Sequence, residues 1–572
     1  MEKILLILPY LGSLNGGNVV PEFPLGIAYI SSYLKSCGFK VYCLNLQFCD
    51  DIKNVLKATI QKHSITMVGT GGVVTICNEI KEIIDIAKSI NPTIKTFIGG
   101  GLVSFSPLEA MKIIENADYG IIGEGEYTSA ALIRAIESNT PVSNVDGIIY
   151  RKNDGTFEIT KSRDDIMDLD SLPFPDFKGF NFSPSSKIVS LAPILGSRSC
   201  PFSCSFCCHE VGHKYRQRSL DSIFIEIDYL VSRYNIKCLS FVDATFSINV
   251  KRILDFCDRI SEYNIKWSVE LRISKFIDAK LLGRMAETGC ERIFYGLESA
   301  DDDILKSMNK GITVKEIERV LTLTKESGII TSGNFIFGDT DETLISVNNT
   351  YKWVCAHKSL LAEILFDMIR LFPGSPLYDK AVREKHIFDT TSHIKSLCPL
   401  TNVSKMSDTE YWQLANFGLD KMRNALYECH FETTISAGSG NFDYSSSWNC
   451  PKCGSNNQTQ LKTYDLPQND HVECKECSNR FSVYFYRDYI KFVDGKLRKL
   501  LKKNKCAIWG LGRYFPPIYY EGTALKDRSL NYSLIDKNFQ MLASFEGMPI
   551  SPPPQFWAIH KPATTQICRL MW

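Results

Sequence analysis

Twice along this chain short β-rich runs alternate with helical patterns, and no other feature restricts the fold so strongly. Through residues 1–150 the runs are KILLILP, LGIAYISSYLKSCG, KVYCLNL, ITMVGTGG, NEIKEIIDIAKSI, KTFIGGG and DYGIIGEGE. Strands that alternate with helices predict a parallel sheet wound on both faces. Glycines follow three of these strands, at Gly69, Gly71 and Gly72, at Gly99, Gly100 and Gly101, and at Gly123 and Gly125. Any one such cluster is an ordinary tight turn. Three on one rim, at the carboxyl ends where open α/β sheets bind ligands, point to a large ligand lying across it.

A second series fills residues 188–385, from KIVSLAPIL to EILFDMIRLFPGSP, with six strand candidates. Six is too few for a closed eight-unit barrel, so a partial (β/α)6 barrel is expected, with its chemistry at the strand carboxyl ends. Pro173, Pro175, Pro184 and NFSPSS mark residues 151–187 as a linker between the two domains. Residues 386–447 read as a helical extension ending in the turn-rich SAGSGNFDYSSS, 448–487 as a small cysteine module, and 505–572 as a small or degenerate Rossmann-like segment. The fold class is α/β throughout.

Composition narrows the function. Lys plus Arg number 65 against 64 Asp plus Glu, so nothing drives the chain as a whole toward nucleic acid or an anionic membrane. The apolar run Ile4 to Leu8 stops at Pro9, too short for a signal peptide or a membrane span, and a cytoplasmic protein is expected. Twenty cysteines without an export signal then read as reduced thiols and metal ligands.

The most informative stretch is GSRSCPFSCSFCCHE, where Cys200, Cys204 and Cys207 are spaced C-x3-C-x2-C straight after a strand. Three thiolates on one loop can hold three corners of an iron-sulfur cube and leave the fourth iron open to a ligand. Structural zinc is the competing reading, with His209 or His213 as a fourth ligand, but it gives no role to Phe206 or to the barrel pattern that follows.

The loop CPFSCSFC resembles the signature of radical S-adenosylmethionine (SAM) enzymes, with Phe206 as its aromatic position. FVDATF, VELRIS, YGLESADDDILKSMNKGIT, NFIFGDTDET and LFPGSPLY resemble, in order, the later barrel strands of the subgroup with an N-terminal cobalamin domain. PEFPLGIAYISSYLKSCGFKV, FIGGGLVSFSP and DYGIIGEGEYT resemble that cobalamin-binding domain, so the likeness covers roughly residues 1–385. It implies a 4Fe-4S cluster on Cys200, Cys204 and Cys207, whose open iron chelates SAM and whose electron releases a 5′-deoxyadenosyl radical. Phe206, Asp243, Arg272 and Glu298 are the implied SAM contacts, with Arg272 on the cofactor carboxylate. Plainer alternatives exist: Arg272 and Glu298 paired with each other, and Asp243 capping the helix near Asn249. The implied cobalamin contacts are Gly26, Thr70, Gly71, Gly72, Gly99, Gly100, Gly101, Gly123, Glu124 and Gly125.

Two departures from the family pattern stand out. Residues 9–26 contain no histidine, so cobalt would lack a His lower ligand from this loop. GDTDET stands where relatives often read G-x-P-G-E-T; Glu342 and Thr343 match, while Thr340 and Asp341 replace Pro and Gly. The implied activity is methylation of an unactivated carbon of a small molecule, with an electron donor of the flavodoxin or ferredoxin type. A non-methylating radical reaction such as cyclisation, ring contraction or rearrangement, and RNA modification, are the alternatives.

Near the C-terminus Cys450 and Cys453, then Cys474 and Cys477, form two C-x2-C pairs twenty residues apart. That spacing looks like a zinc ribbon with closed, structural Zn²⁺. Lys452, Lys475, Arg480 and Arg487 beside Phe481, Tyr484 and Tyr486 allow a polynucleotide surface, which Asp465, Asp470, Glu473 and Glu476 weaken. In CAIWGLGRYF, Gly510 and Gly512 with the later Asp536 hint at a mononucleotide-binding unit, interrupted by Pro516 and Pro517.

Overall fold

Leu5 and Ile7 are buried in one apolar core, and Ile4 and Leu6 in another. A strand that buries both faces in this way must have helices above and below it. The computed structural model describes residues 2–10, 23–47, 49, 51–181, 191–208, 214–419 and 422, and thereafter separate strands and short turns between residues 431 and 569. These residues form two compact units, divided after Met406.

The first sheet is built from β1 (Lys3–Leu8), α1 (Leu25–Ser36), β2 (Lys40–Asn45), α2 (Ile52–His63), β3 (Met67–Gly71), α3 (Cys77–Ile90), β4 (Lys95–Gly99), α4 (Gly101–Phe105), α5 (Pro107–Ile113), β5 (Tyr119–Ile121), α6 (Gly125–Glu137), β6 (Ile148–Arg151) and β7 (Phe157–Ile159). Strand order is β2-β1-β3-β4-β5-β6-β7. The first five strands run parallel, as expected, and β6 and β7 close one edge antiparallel. The stretch 151–187 thus contains a strand of the first sheet. Further along it Phe177 and Phe180 are buried and Asp176 pairs with Lys35 of α1, so apolar side chains between the prolines dock it onto the domain.

The second sheet follows with β8 (Leu191–Ile194), a two-stranded ribbon β9 (Ser197–Arg198) and β10 (Arg216–Gln217), α7 (Leu220–Tyr234), β11 (Cys238–Phe241), α8 (Val250–Ile260), β12 (Lys266–Leu271), α9 (Ala279–Glu287), β13 (Cys290–Glu298), α10 (Asp302–Ser307), α11 (Val314–Glu326), β14 (Ile330–Phe337), α12 (Leu344–His357), β15 (Glu363–Met368), α13 (Pro376–Arg383) and α14 (Thr390–Lys395). Among the described residues six parallel strands stand in the order β8-β11-β12-β13-β14-β15, and β8 does not pair with β15. Trp267, Val269 and Leu271 are buried on one face of β12, while Lys266 and Glu270 on the other are exposed. Side-chain caps start the helices: Asn249 accepts from Arg252 N, and Thr343 forms a capping box with Ser346.

In the second unit α15 (Asp408–Gln413) precedes a three-stranded antiparallel sheet of β16 (Phe431–Ala437), β17 (Phe442–Asn449) and β18 (Asn456–Thr463). Strands therefore stand where a turn-rich tail was expected; β17 is hydrogen-bonded along both edges, and that ladder outweighs the weak strand preference of its serines. A hairpin of β19 (Asp470–Glu473) and β20 (Arg480–Val483) follows. The last sheet, β21 (Cys506–Trp509), β22 (Tyr532–Ile535), β23 (Ser544–Phe545), β24 (Met548–Ser551) and β25 (Gln566–Arg569), has the order β23-β24-β22-β21-β25. Cys450, Cys453, Cys474, Cys477, Gly510, Gly512 and Asp536 lie outside the described residues. Among the described residues no helix is long and apolar enough to cross a membrane.

Candidate active site at the strand carboxyl ends

The cysteine loop leaves the second sheet through the ribbon β9–β10, whose register pairs Arg198 with Arg216. Cys204 is buried, and Cys200 and Cys207 are half-buried. Cys207 N donates to Cys204 O at 3.2 Å, closing the C-x2-C turn. Three bonds tie the turn to the sheet's other end: Ser205 N to Met308 O at 3.0 Å, Leu377 N to Ser205 O at 2.8 Å, and Asn309 Nδ2 to Ser203 O at 2.8 Å. Phe206 packs into the apolar cluster of Ile304, Met308, Leu371 and Leu377. It anchors the loop by burial, a role independent of any ligand.

Arg272, one residue past β12, reaches back over this loop. Its Nη1 donates to Cys204 Sγ at 3.4 Å, and its guanidinium lies 4.0 Å over the Phe202 ring. A fixed cation beside a sulfur donor suits a metal-bound thiolate, and the thiol-rich donor set suits iron. Among the described residues no three His, Cys, Asp or Glu side chains are grouped for a single metal ion. His209 and His213, the ligands of the zinc alternative, lie outside the described residues.

Glu298 does not meet Arg272. It ends β13 with φ +66°, and its Oε1 accepts from Lys310 Nζ at 2.7 Å, both side chains being buried. Gly296 makes room for this pair, since a Cβ there would lie 2.4 Å from Glu298 Oε1. Asp243, 1 % exposed, takes Gly196 N on Oδ1 at 2.7 Å and so fixes the start of the cysteine loop. Among the described residues its Oδ2 has no hydrogen-bond partner, and burial pushes the carboxyl up to about 7. It caps no helix; Asn249 caps α8 itself. In GDTDET the buried Glu342 accepts from Ser346 Oγ at 2.5 Å and is pushed by burial to about 7, while Asp341 turns outward to Lys405 at 2.7 Å.

On the first sheet, Gly100 begins the turn into α4 with φ +83°, and a Cβ there would stand 2.7 Å from Gly72 O. Backbone of two glycine clusters therefore meets at the rim. Beside it lies an apolar cavity of about 170 Å³, walled by Val73, Thr75, Gly101, Leu102 and Phe105 on one side and by Cys208, Phe372 and Pro373 on the other. Bare backbone and apolar walls fit the edge of a large flat macrocycle. The other rim residues serve the domain itself. Thr70 Oγ1 donates to Ile7 O at 2.9 Å, Gly125 packs against Ile30, Gly123 N bonds Ser104 Oγ at 3.0 Å, and Gly26 is exposed on α1. Glu124 is buried and gives its carboxylate to Arg198, Arg216 and Ile166 N at 2.6, 2.7 and 2.6 Å.

Comparison with known proteins agrees with this architecture. The Radical SAM superfamily model matches residues 194–354, and the B12 binding domain model matches residues 19–133. An uncharacterized methyltransferase of Pyrococcus horikoshii is 30% identical over 395 residues, 66% of this chain and 83% of that one. The chain is a member of the radical SAM superfamily that carries a B12 binding domain. An anaerobic magnesium-protoporphyrin IX monomethyl ester cyclase of Rubrivivax gelatinosus is 27% identical over 405 residues, 68% of this chain and 71% of that one. Among solved structures, the radical SAM methyltransferase TsrM from Kitasatospora setae, with cobalamin and a 4Fe-4S cluster bound, superposes with a TM-score of 0.57 at 21% identity, covering 67% of this chain and 75% of that one. OxsB, a cobalamin-dependent SAM radical enzyme, gives 0.55 at 22%, covering 69% and 56%. These two likenesses concern the fold.

For this radical SAM chain the structure joins Cys204 to Cys207 and to Arg272, buries Phe206 beside that turn, and ties Asp243 to the loop's entrance; Cys200 lies on the same loop, four residues before Cys204. Two residues escape a reading of the sequence alone. Lys310, buried against Glu298, stands 5.9 Å from the Phe206 ring, and Phe202 supports Arg272. Lys310 lies in the quoted run SMNKGIT, where Asn309 at φ +51° turns the chain back toward the loop; a lysine after such a turn residue was the available signal.

Proposed function

We propose that the chain is a cobalamin-dependent radical SAM enzyme that methylates an unactivated carbon of a small molecule. The observation that carries this reading is the shared cavity: Cys208, next to Cys207, and Phe105 and Leu102 of the glycine rim wall the same apolar space. A methyl donor held at the rim would stand next to the cluster loop. When bound, the cluster supplies the electron that splits the SAM sulfonium, and the corrin carries the methyl group.

The chain's own residues supply position and apolar surface. Cys200, Cys204 and Cys207 are assigned to the cluster, and Arg272 to the SAM carboxylate, a charge-assisted contact. Lys310 and Glu298 neutralise each other beside Phe206 and present polar atoms at the end of β13. Asp243 holds Gly196, the start of the loop. Leu102, Phe105 and Phe372 give the cavity apolar walls. The rim glycines Gly71, Gly72, Gly99, Gly100 and Gly101 are assigned to cobalamin, whose cobalt takes no histidine from residues 9–26.

Zinc on Cys450, Cys453, Cys474 and Cys477 is supported by the neighbouring strands. The ladder pairs Asn449 with Asn456 and Glu473 with Arg480, so each C-x2-C pair falls in sequence between the joined ends of a hairpin. Lys475 N donates to Asn457 Oδ1 at 2.9 Å, linking one hairpin to the other. A flavodoxin or ferredoxin-type donor and a cytoplasmic setting complete the reading. The similarity to a magnesium-protoporphyrin cyclase supports a second reading, ring closure without methyl transfer.

Product mass separates the two. Anaerobically reconstituted enzyme that releases S-adenosylhomocysteine with a product one methylene heavier is a methyltransferase; 5′-deoxyadenosine without S-adenosylhomocysteine assigns the second reading.

A further inference from the structure

Both flanks of the cysteine loop end on one carboxylate. Arg198 stands two residues before Cys200, and Arg216 nine residues after Cys207. Arg198 Nη1 meets Glu124 Oε1 at 2.6 Å, and Arg216 Nη1 meets Glu124 Oε2 at 2.7 Å. Among the described residues Glu126 pairs with Arg198 alone, through Nη2 at 2.5 Å. All four side chains are 5% exposed or less. Ile166 N adds a third bond to Glu124 at 2.6 Å, Arg216 Nη1 also donates to Ile166 O at 2.9 Å, and the Tyr29 ring lies 5.3 Å from Arg198. Burial alone would lower the pKa of Arg198, but Glu126 and Glu124 hold it raised, so the guanidinium stays charged.

The cluster holds two positive and two negative groups, and so is neutral in sum. Its cost in desolvation is nevertheless high, and replacing such a set by apolar side chains is often neutral or stabilising. Fixed geometry is what a buried ionic network supplies that an apolar core does not. Glu124 comes from the turn between β5 and α6 of the first sheet, beside Gly123 on the glycine rim.

We infer that Glu124 is a positioning residue: it clamps the two ends of the cysteine loop to each other and to the glycine rim, so that the loop's sulfur donors keep one distance from the ligand held there. The inference rests on reading Cys200, Cys204 and Cys207 as cluster ligands. Glu124 was expected among the cobalamin contacts; its carboxylate oxygens already serve Arg198, Arg216 and Ile166. Glu126 is the internal control, because its replacement removes an equal charge from the same network, but Glu126 holds one flank of the loop, Arg198, and does not join it to Arg216.

The test uses the full-length chain, as apoprotein and after anaerobic reconstitution. Trypsin cleavage after the exposed Lys214, between Cys207 and Arg216, reports opening of the loop. Glu124→Gln is expected to raise that cleavage rate roughly tenfold over wild type, while Glu126→Gln stays within about twofold at the same interval below its own Tm. In the reconstituted protein, the change that added SAM makes in the EPR spectrum of the reduced cluster should broaden in Glu124→Gln and stay sharp in Glu126→Gln, with iron content equal in both. Arg216→Lys, which keeps the charge but loses the planar fork, should follow Glu124→Gln and stands in if that variant does not fold. Equal cleavage and equal spectra in the Glu124 and Glu126 variants would overturn the inference. A wild-type chain that takes up no iron-sulfur cluster would refute the radical reading instead, while the cleavage arm still decides for or against the clamp.

Discussion

The guanidinium of Arg272 donates to the sulfur of Cys204 at 3.4 Å and stacks on Phe202, leaving Glu298 to Lys310. Among the described residues no carboxylate pairs with the Arg272 guanidinium, which stays beside the Cys204 sulfur. Replacing Arg272 by Gln should keep the fold and weaken SAM. A charge-assisted bond is worth about 1.5–3 kcal/mol, so the KM for SAM in reductive cleavage to deoxyadenosine should rise about tenfold to a hundredfold. An unchanged KM would remove Arg272 from the SAM site.

Cys204→Ala should abolish deoxyadenosine formation and leave the reconstituted chain short of iron and sulfide, since three thiolates are the fewest that hold a cubane with one open iron. Cys208→Ala should retain both, because that side chain lines the apolar cavity. Iron and sulfide analysis with EPR distinguishes the two variants.

Asp243 gives a pH signature. Its folded pKa of about 7 lies above the ordinary 3.8, so between those values the folded chain holds a proton that the unfolded chain has released. Stability from this group is complete at low pH, falls as pH rises through that window and is level above it, by at most about 4 kcal/mol. Asp243→Asn should flatten this part of a Tm-against-pH curve, and Glu342→Gln should do so to a smaller extent. Parallel curves for wild type and Asp243→Asn would show that folding leaves the pKa of this carboxyl unshifted.

Gly100→Ala tests the rim. With φ at +83° and Gly72 O at 2.7 Å from the new Cβ, the backbone must shift, and the variant should lose more than about 1 kcal/mol of stability. Retention of cobalamin through gel filtration, read by corrin absorbance, should drop with it, while iron content is unchanged.

Cys474→Ser should lower bound zinc from about one ion per chain to none without changing iron, since a closed tetrahedral site does not survive the loss of one thiolate. Metal analysis of both variants, Cys474→Ser and Cys204→Ala, separates the two cysteine sets.

Much of this molecule could be read from its residues. Alternating burial of Ile4 and Leu6 against Leu5 and Ile7 is what an apolar β-run between two helical layers has to produce, and the six later strands follow the same logic. The cysteine loop was legible because its three spaced cysteines lie within eight consecutive residues, Cys200 to Cys207. Lys310 against Glu298, and Arg198 and Arg216 against Glu124, were not legible. Those partners lie 12, 74 and 92 residues apart, and only the folded packing of the elements decides which charges meet. Strand β17 was missed for a related reason, since its serines read as a turn until neighbours on both edges complete the ladder.

The shared carboxylate of Glu124 also decides how this protein can be cut and recombined. A second sheet severed ahead of β8 would carry Arg198 and Arg216 without Glu124, and so without the bridge between the two flanks of its cysteine loop. Grafts between relatives should therefore exchange both sheets as one cassette ending near Met406, or transplant the acid together with its two bases.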